Sequence, residues 1–151
     1  MKAVVMYMSR TGNTERAAEL VGAELVERGV QTVVRPIDGL DYNEVADADL
    51  ICVGTWVDGI ILFGHRAGDT GKISRGPALW DKPVGAFMTY ALHAGKVLQS
   101  YQRFLEDDMG AKVVAGALMK RGELDLNVGE FVDQLMKQME REPAKRFSAV
   151  F

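Results

Sequence analysis

The sequence predicts an α/β protein built on a doubly wound, five-stranded parallel sheet in a three-layer α/β/α arrangement. Two observations carry this prediction. Apolar runs of strand length recur at 3–8, 31–36, 49–54, 83–88 and 112–118, separated by segments with helical periodicity or turn chemistry. The run from Val84 to Met88 is apolar without alternation, which requires burial on both faces and therefore a parallel sheet between two helical layers. The 151 residues suit one domain spanning 1–151.

The first strand leads into Ser9, Arg10, Thr11, Gly12, Asn13 and Thr14, after which a helix is expected over 15–28, closed by Gly29. Three hydroxyls, an amide and a glycine thus meet at a helix N-terminus, where unpaired N–H groups and the macrodipole favour an anion. Gly12 lets the backbone fold closely, and Asn13 is the expected helix cap. The loop lacks both Gly-x-Gly-x-x-Gly and a Gly-Lys-Ser/Thr ending, so a mononucleotide phosphate fits it better than a dinucleotide or a hydrolysable triphosphate. Arg10 is read as pointing outward, because turn geometry rather than charge defines such a cradle.

Residues 37–48 are acidic, with Asp38, Asp41, Glu44 and Asp47 running up to Asp49, and hold at most a short helix. Cys52, the single cysteine, lies within the third apolar run and reads as a packed small hydrophobe. The glycine-rich stretch 60–81 suggests a loop followed by a short helix. Further helices are expected over 95–108, ending near Gly110, and over 128–142, stopped by Pro143. The tail carrying Phe147, Val150 and Phe151 is expected to pack back onto its own domain.

In doubly wound sheets ligands bind beyond the carboxyl ends of the strands, at the switch point in strand order. The three least ordinary loops follow the first, third and fourth strands, at 9–14, 55–64 and 89–94. Trp56 stands just past the third strand among Thr55, Val57, Asp58 and Gly59, while Thr89, Tyr90, His93 and Ala94 follow the fourth. Two aromatic walls across a crevice, with a phosphate cradle below, suit a mononucleotide carrying a planar ring system, naturally flavin mononucleotide (FMN).

These residues resemble the flavodoxin family, most closely its shorter-chain members, over essentially the full length. The resemblance rests on Thr11-Gly12-Asn13-Thr14, on Thr55-Trp56-x-Asp58 and on Tyr90. It implies the strand order 2-1-3-4-5 with FMN at the switch point. It also implies that the first loop holds the phosphate while the loops after the third and fourth strands enclose the isoalloxazine, with His93 as a further candidate for the outer wall. Aromatic walls without cations disfavour negative charge on reduced flavin, which makes the bound cofactor a stronger reductant than free flavin.

Two features depart from the family. Where flavodoxins usually place a glycine whose peptide turns as the flavin changes redox state, this chain has Val57, and a β-branched residue resists positive φ by roughly 1–2 kcal/mol. One-electron reduction is then less favoured, unless Gly59 moves the turn. The second departure is charge. His65, Arg66, Lys72 and Arg75 against Asp69 make a locally basic segment, whereas residues 38–49 offer an acidic face to a basic reductase.

The expected function is electron transfer between a reductase and an acceptor enzyme, by exposure of one flavin edge. The alternative is an FMN-dependent oxidoreductase passing electrons from NAD(P)H to a quinone or porphyrin-like substrate. A receiver-type signalling domain needs acidic residues at the end of the first strand, where this chain has Ser9-Arg10-Thr11. Absence of a cysteine pair, a His-x-x-x-His spacing and a nucleophile elbow argues against metal-dependent and hydrolytic chemistry. A net charge of −3 with no basic arm gives no footprint for nucleic acid. Without a signal-peptide pattern or a long apolar run, the chain is expected to be cytoplasmic and not inserted in a membrane. It is read as a monomer.

Overall fold

The five apolar runs form five parallel strands, and the segments between them supply the covering helices. The computed structural model describes residues 1–58, 66–68, 70–74 and 76–150. In chain order its elements are β1 (Lys2–Tyr7), α1 (Asn13–Glu27), β2 (Gln31–Pro36), α2 (Tyr42–Asp47), β3 (Leu50–Asp58), β4 (Arg66–Ala67), α3 (Thr70–Ser74), β5 (Pro83–Tyr90), α4 (Val97–Met109), β6 (Lys112–Lys120) and α5 (Leu124–Val150). The parallel sheet has the order β2-β1-β3-β5-β6. Setting aside β4, a two-residue strand antiparallel to β3, this is the expected 2-1-3-4-5.

Alternate residues of each central strand enter different cores. Val5, Cys52 and Phe87 pack with Ala18, Val21 and Leu25 of α1 and with Phe131, Val132 and Leu135 of α5. Val4, Met6, Ile51, Val53, Ala86 and Met88 face the other way, onto Val45, Ile73, Tyr101, Leu105 and Met109. Both faces are therefore dry, as the unbroken apolar runs required. Cys52 is fully buried, and burial pushes its thiol up to about 12, so it behaves as the packed hydrophobe expected.

The ends of the helices follow local chemistry. Gly29 and Gly110 adopt left-handed φ values of 83° and 74° just beyond α1 and α4. Asp41 caps α2 by accepting the Asn43 N–H at 2.9 Å. At the far end of α2, the Lys82 ammonium donates to the carbonyls of Ala46 and Ala48 at 2.8 and 2.7 Å, where the helix dipole favours a cation. Pro143 does not stop α5, which continues to Val150. A proline deletes its own hydrogen bond to the preceding turn, but Ala144, Lys145 and Arg146 beyond it are strong helix formers. The side chains of Phe147 and Val150, and all of Phe151, lie outside the described residues.

Gly54 sits at the centre of this packing. It pairs with Phe87 across β3 and β5, and a Cβ at Gly54 would overlap the edge atoms of the Phe87 ring. That ring in turn meets Phe131 of α5, with centroids 5.7 Å apart and planes tilted by 58°. The absent side chain of Gly54 leaves room for the Phe87 ring, which packs against α5 in turn. Gly54→Ala should lower stability by about 1–3 kcal/mol through overpacking, read as a fall in the urea midpoint without change in slope.

Candidate functional site

All five parallel strands finish at one edge, and the described residues among those predicted for the site gather there. Gly12 has φ 94° and takes the cap position of α1, so Asn13 is the first helical residue and not the cap expected from the sequence. Nothing lies within 4 Å of a Cβ at Gly12, so the requirement is for a left-handed backbone and not for space. The loop braces itself: the Gly12 N–H donates to Ser9 Oγ at 3.1 Å, and Asn13 Nδ2 donates to Thr11 Oγ1 at 3.0 Å. The first bond of the helical ladder runs from the Arg16 N–H to the Gly12 carbonyl at 3.0 Å. The N–H groups of Asn13, Thr14 and Glu15 therefore have no intrahelical acceptor. Arg10 and Thr11 are exposed and Ser9 is half-buried.

An acidic side chain also stands in this first turn. Tyr7 donates its hydroxyl to Glu15 Oε1 at 3.2 Å, and burial together with the Glu15 carboxylate raises the Tyr7 pKa. The contact ties the carboxylate to the end of β1. Nothing in the sequence marked this pair, because Tyr7 reads simply as a strand residue.

Thr14 turns inward. Its Oγ1 lies 2.8 Å from Thr89 Oγ1, and both residues are fully buried. Thr89 in turn is the register partner of Trp56 on β3, while the Met8 N–H donates to the Gly54 carbonyl at 3.0 Å. The chain segments following β1, at the end of β3 and at the end of β5 are thus joined directly. These are the three segments singled out from the sequence.

Their local structure differs from expectation at two of them. Thr55, Trp56, Val57 and Asp58 belong to β3 and not to a loop, because Val57 pairs with Ala67 and Asp58 with Arg66 of β4. Val57 is accordingly extended in this structure; Asp81 is the only described non-glycine residue with positive φ. Gly59 lies outside the described residues. Thr89 and Tyr90 likewise belong to β5, whose pairing with β6 continues as far as Tyr90 and Lys120. The loop proper is then residues 91–96, with Leu92 and His93 exposed and Ala94 buried.

Trp56 is half-buried, yet its Nε1 is buried without a hydrogen-bond partner. An unpaired buried donor costs roughly 1–3 kcal/mol, so this indole N–H is available to an acceptor that the described residues do not supply. Tyr90 is half-buried against the core beneath α4. Residues 54–58 and 88–94 contain neither lysine nor arginine.

Surface charge is divided differently from the sequence reading. Glu44 pairs with Arg35 at 3.2 Å, Asp41 is used as a helix cap, and Asp49 accepts the Lys2 N–H at 2.8 Å. Asp38 follows the carboxyl end of β2 whereas Asp49 precedes β3 at the opposite edge, so residues 38–49 do not form one acidic face beside the site. Of the basic segment, His65, Asp69 and Arg75 and the side chain of Arg66 lie outside the described residues. Lys72 is exposed on α3, where it lines an open cavity of about 290 Å³ with Ile37, Asp38, Leu40, Tyr42 and Gly76; among the described residues, none of those predicted for the site lines it. Among the described residues no cluster of His, Cys, Asp and Glu could hold a metal ion, and no helix is long and apolar enough to cross a membrane.

The Thr14–Thr89 contact makes a measurable claim. Thr89→Val should cost about 1–3 kcal/mol by stranding the Thr14 hydroxyl, and adding Thr14→Val should recover much of that loss, measured by urea denaturation of the FMN-free protein.

Comparison with known proteins gives a consistent answer. A family model described as a flavodoxin domain matches residues 4–150. The flavodoxin of Megasphaera elsdenii is 26% identical over 115 residues, covering 76% of this chain and 83% of that protein. The flavodoxin of Clostridium beijerinckii is 23% identical over 121 residues, covering 80% and 87%. The solution structure of two-electron reduced Megasphaera elsdenii flavodoxin superposes with a TM-score of 0.74 at 24% identity, over 89% of this chain and 98% of that one. With nearly its whole length matched by the family model and the strand order agreeing, the chain belongs to the flavodoxin family.

Proposed function

We propose that this chain carries electrons between a reductase and an acceptor enzyme, using FMN seated at the carboxyl edge of the sheet. Flavodoxins are FMN-binding electron-transfer proteins, and FMN is the cofactor of this chain. The supporting observation is the convergence at that edge of a left-handed Gly12 beside three N–H groups without an intrahelical acceptor and an indole N–H that has no acceptor among the described residues. A phosphate fits the first feature, and a polar, flat ring system fits the second.

In this reading Ser9, Thr11 and Asn13 hold the phosphate with the N–H groups of residues 13–15, and Arg10 stands at the rim. Thr14, Thr55 and Thr89 are buried, so they brace the cradle and walls from behind. Trp56 and Tyr90 form the walls, with Val57 and Asp58 along one and His93 and Ala94 along the other. FMN supplies the one- and two-electron redox chemistry. The protein's contribution is to hold it, exclude water from one side and set its potential. Walls without lysine or arginine leave negative charge on a reduced ring uncompensated, which lowers the potential.

Titration of the apoprotein with FMN and with riboflavin, followed by anaerobic photoreduction, tests this. FMN should bind at least about tenfold more tightly than riboflavin, equivalent to roughly 1.4 kcal/mol from the phosphate loop. The first and second electrons should enter at separated potentials, and NAD(P)H should reduce an added quinone no faster than free FMN allows. Equal affinity for the two flavins would remove the phosphate role from residues 9–14. Rapid turnover of NAD(P)H with quinone would replace the carrier by an oxidoreductase.

A further inference from the structure

We infer that Gly68 is the residue that positions the Trp56 indole, so that a backbone position on the β3–β4 hairpin sets the wall of the flavin site. The inference rests on the assignment of Trp56 to that wall.

Gly68 is buried and is fastened at both of its peptide groups to consecutive residues of β3. Its N–H donates to the Trp56 carbonyl at 2.7 Å, and its carbonyl accepts the Thr55 hydroxyl at 2.6 Å. A Cβ on Gly68 would fall within the van der Waals envelope of Trp56 Cε2, Cδ2 and Nε1. These three atoms belong to the five-membered ring, so the Gly68 backbone lies against one face of that ring. A ring backed in this way can take a flat ligand only on its other face.

Because the two hydrogen bonds fix Gly68 and the indole rests directly on it, the ring plane is decided by the hairpin and not by Trp56's own rotamer preference alone. Any side chain at position 68 must push the indole away, since the opposing peptide is held on both sides. The unpartnered Nε1 is one of the atoms in contact, so the same displacement would re-aim the one donor the ring possesses. Gly68 therefore acts on the cofactor through Trp56, as a positioning residue.

The test is a double-mutant cycle with Gly68→Ala and Trp56→Ala, together with Gly68→Ala in a Trp80→Phe background. Trp80 is 75% exposed, and its removal leaves Trp56 as the sole indole. In FMN-free protein, Gly68→Ala should shift Trp56 emission to longer wavelength and increase its quenching by acrylamide. It should weaken FMN binding by about tenfold in the Trp56 protein and have no further effect once Trp56 is alanine. Unchanged emission, or the same fold-loss in both backgrounds, would overturn the inference, since Gly68 would then act through the hairpin alone. Should Gly68→Ala fail to fold, Thr55→Val decides: it frees the Gly68 carbonyl without adding bulk there, and must move the emission in the same direction while Thr55→Ser restores it. If the unsubstituted protein does not bind FMN, the functional reading fails, while the emission arm still decides whether Gly68 positions the indole.

Discussion

Burying both faces of a parallel sheet leaves only its edges for chemistry, and the rest of this structure follows from that constraint. Helices α1 and α5 close one face and α2, α3 and α4 the other, with Val5, Cys52 and Phe87 on the first side and Val4, Ile51 and Val53 on the second. Parallel strands all point the same way, so every loop that follows a strand opens onto one edge. Strand order then brings particular loops together. Because β1 lies beside β3 and β3 beside β5, the segments following the first strand and ending the third and fifth become neighbours although they are far apart in the chain.

The join between those segments is polar and dry. Thr14 and Thr89 stand 75 positions apart in sequence, yet their hydroxyls meet at 2.8 Å in a fully buried setting. In low dielectric such a pair holds only while each partner satisfies the other, which couples the start of α1 to the end of β5. Thr55 does the same for the hairpin by gripping the Gly68 carbonyl. Hydroxyls that looked from the sequence like cofactor ligands, Ser9, Thr11 and Thr14 for the phosphate and Thr55 and Thr89 beside the ring, divide into two groups. Ser9 and Thr11 lie at the surface of the loop, whereas Thr14, Thr55 and Thr89 fasten the frame beneath it.

Much of the fold was legible because burial on two faces writes long apolar runs, and each of the five runs became a strand. What escaped notice was set by contacts with no periodic signature. Strand β4 is two residues long and is defined by its pairing with Val57 and Asp58, so nothing in Arg66-Ala67 announces it. Pro143 suggested a helix end because it removes a hydrogen bond, but good helix formers beyond it carry α5 onward. Asn13 looked like the cap, and the left-handed turn at Gly12 placed the cap one residue earlier. At the site, the glycine and hydroxyl pattern marked a strand-to-helix turn, and residues 9–14 do lie between β1 and α1. The Tyr7–Glu15 contact and the role of Gly68 depend on tertiary neighbours, and Gly68 carries no mark that separates it from Gly64, Gly71 or Gly76 in a glycine-rich stretch.

The hairpin also changes how Val57 bears on redox tuning. A valine at a turning peptide would oppose positive φ, and on that basis alone the chain should resist the backbone rearrangement its relatives are built to make. Here Val57 is instead held extended by Ala67, so the residue is at rest and any opposition comes from the ladder that would have to break. The barrier has moved from the intrinsic preference of one residue to the cooperativity of a short antiparallel pair, anchored by Thr55 and covered by the Trp56 ring. A pair of only two residues is weak by itself. The two Gly68 hydrogen bonds, to the Trp56 carbonyl and from the Thr55 hydroxyl, extend that pair by one residue, so a turn at Val57 would have to break the ladder beside them.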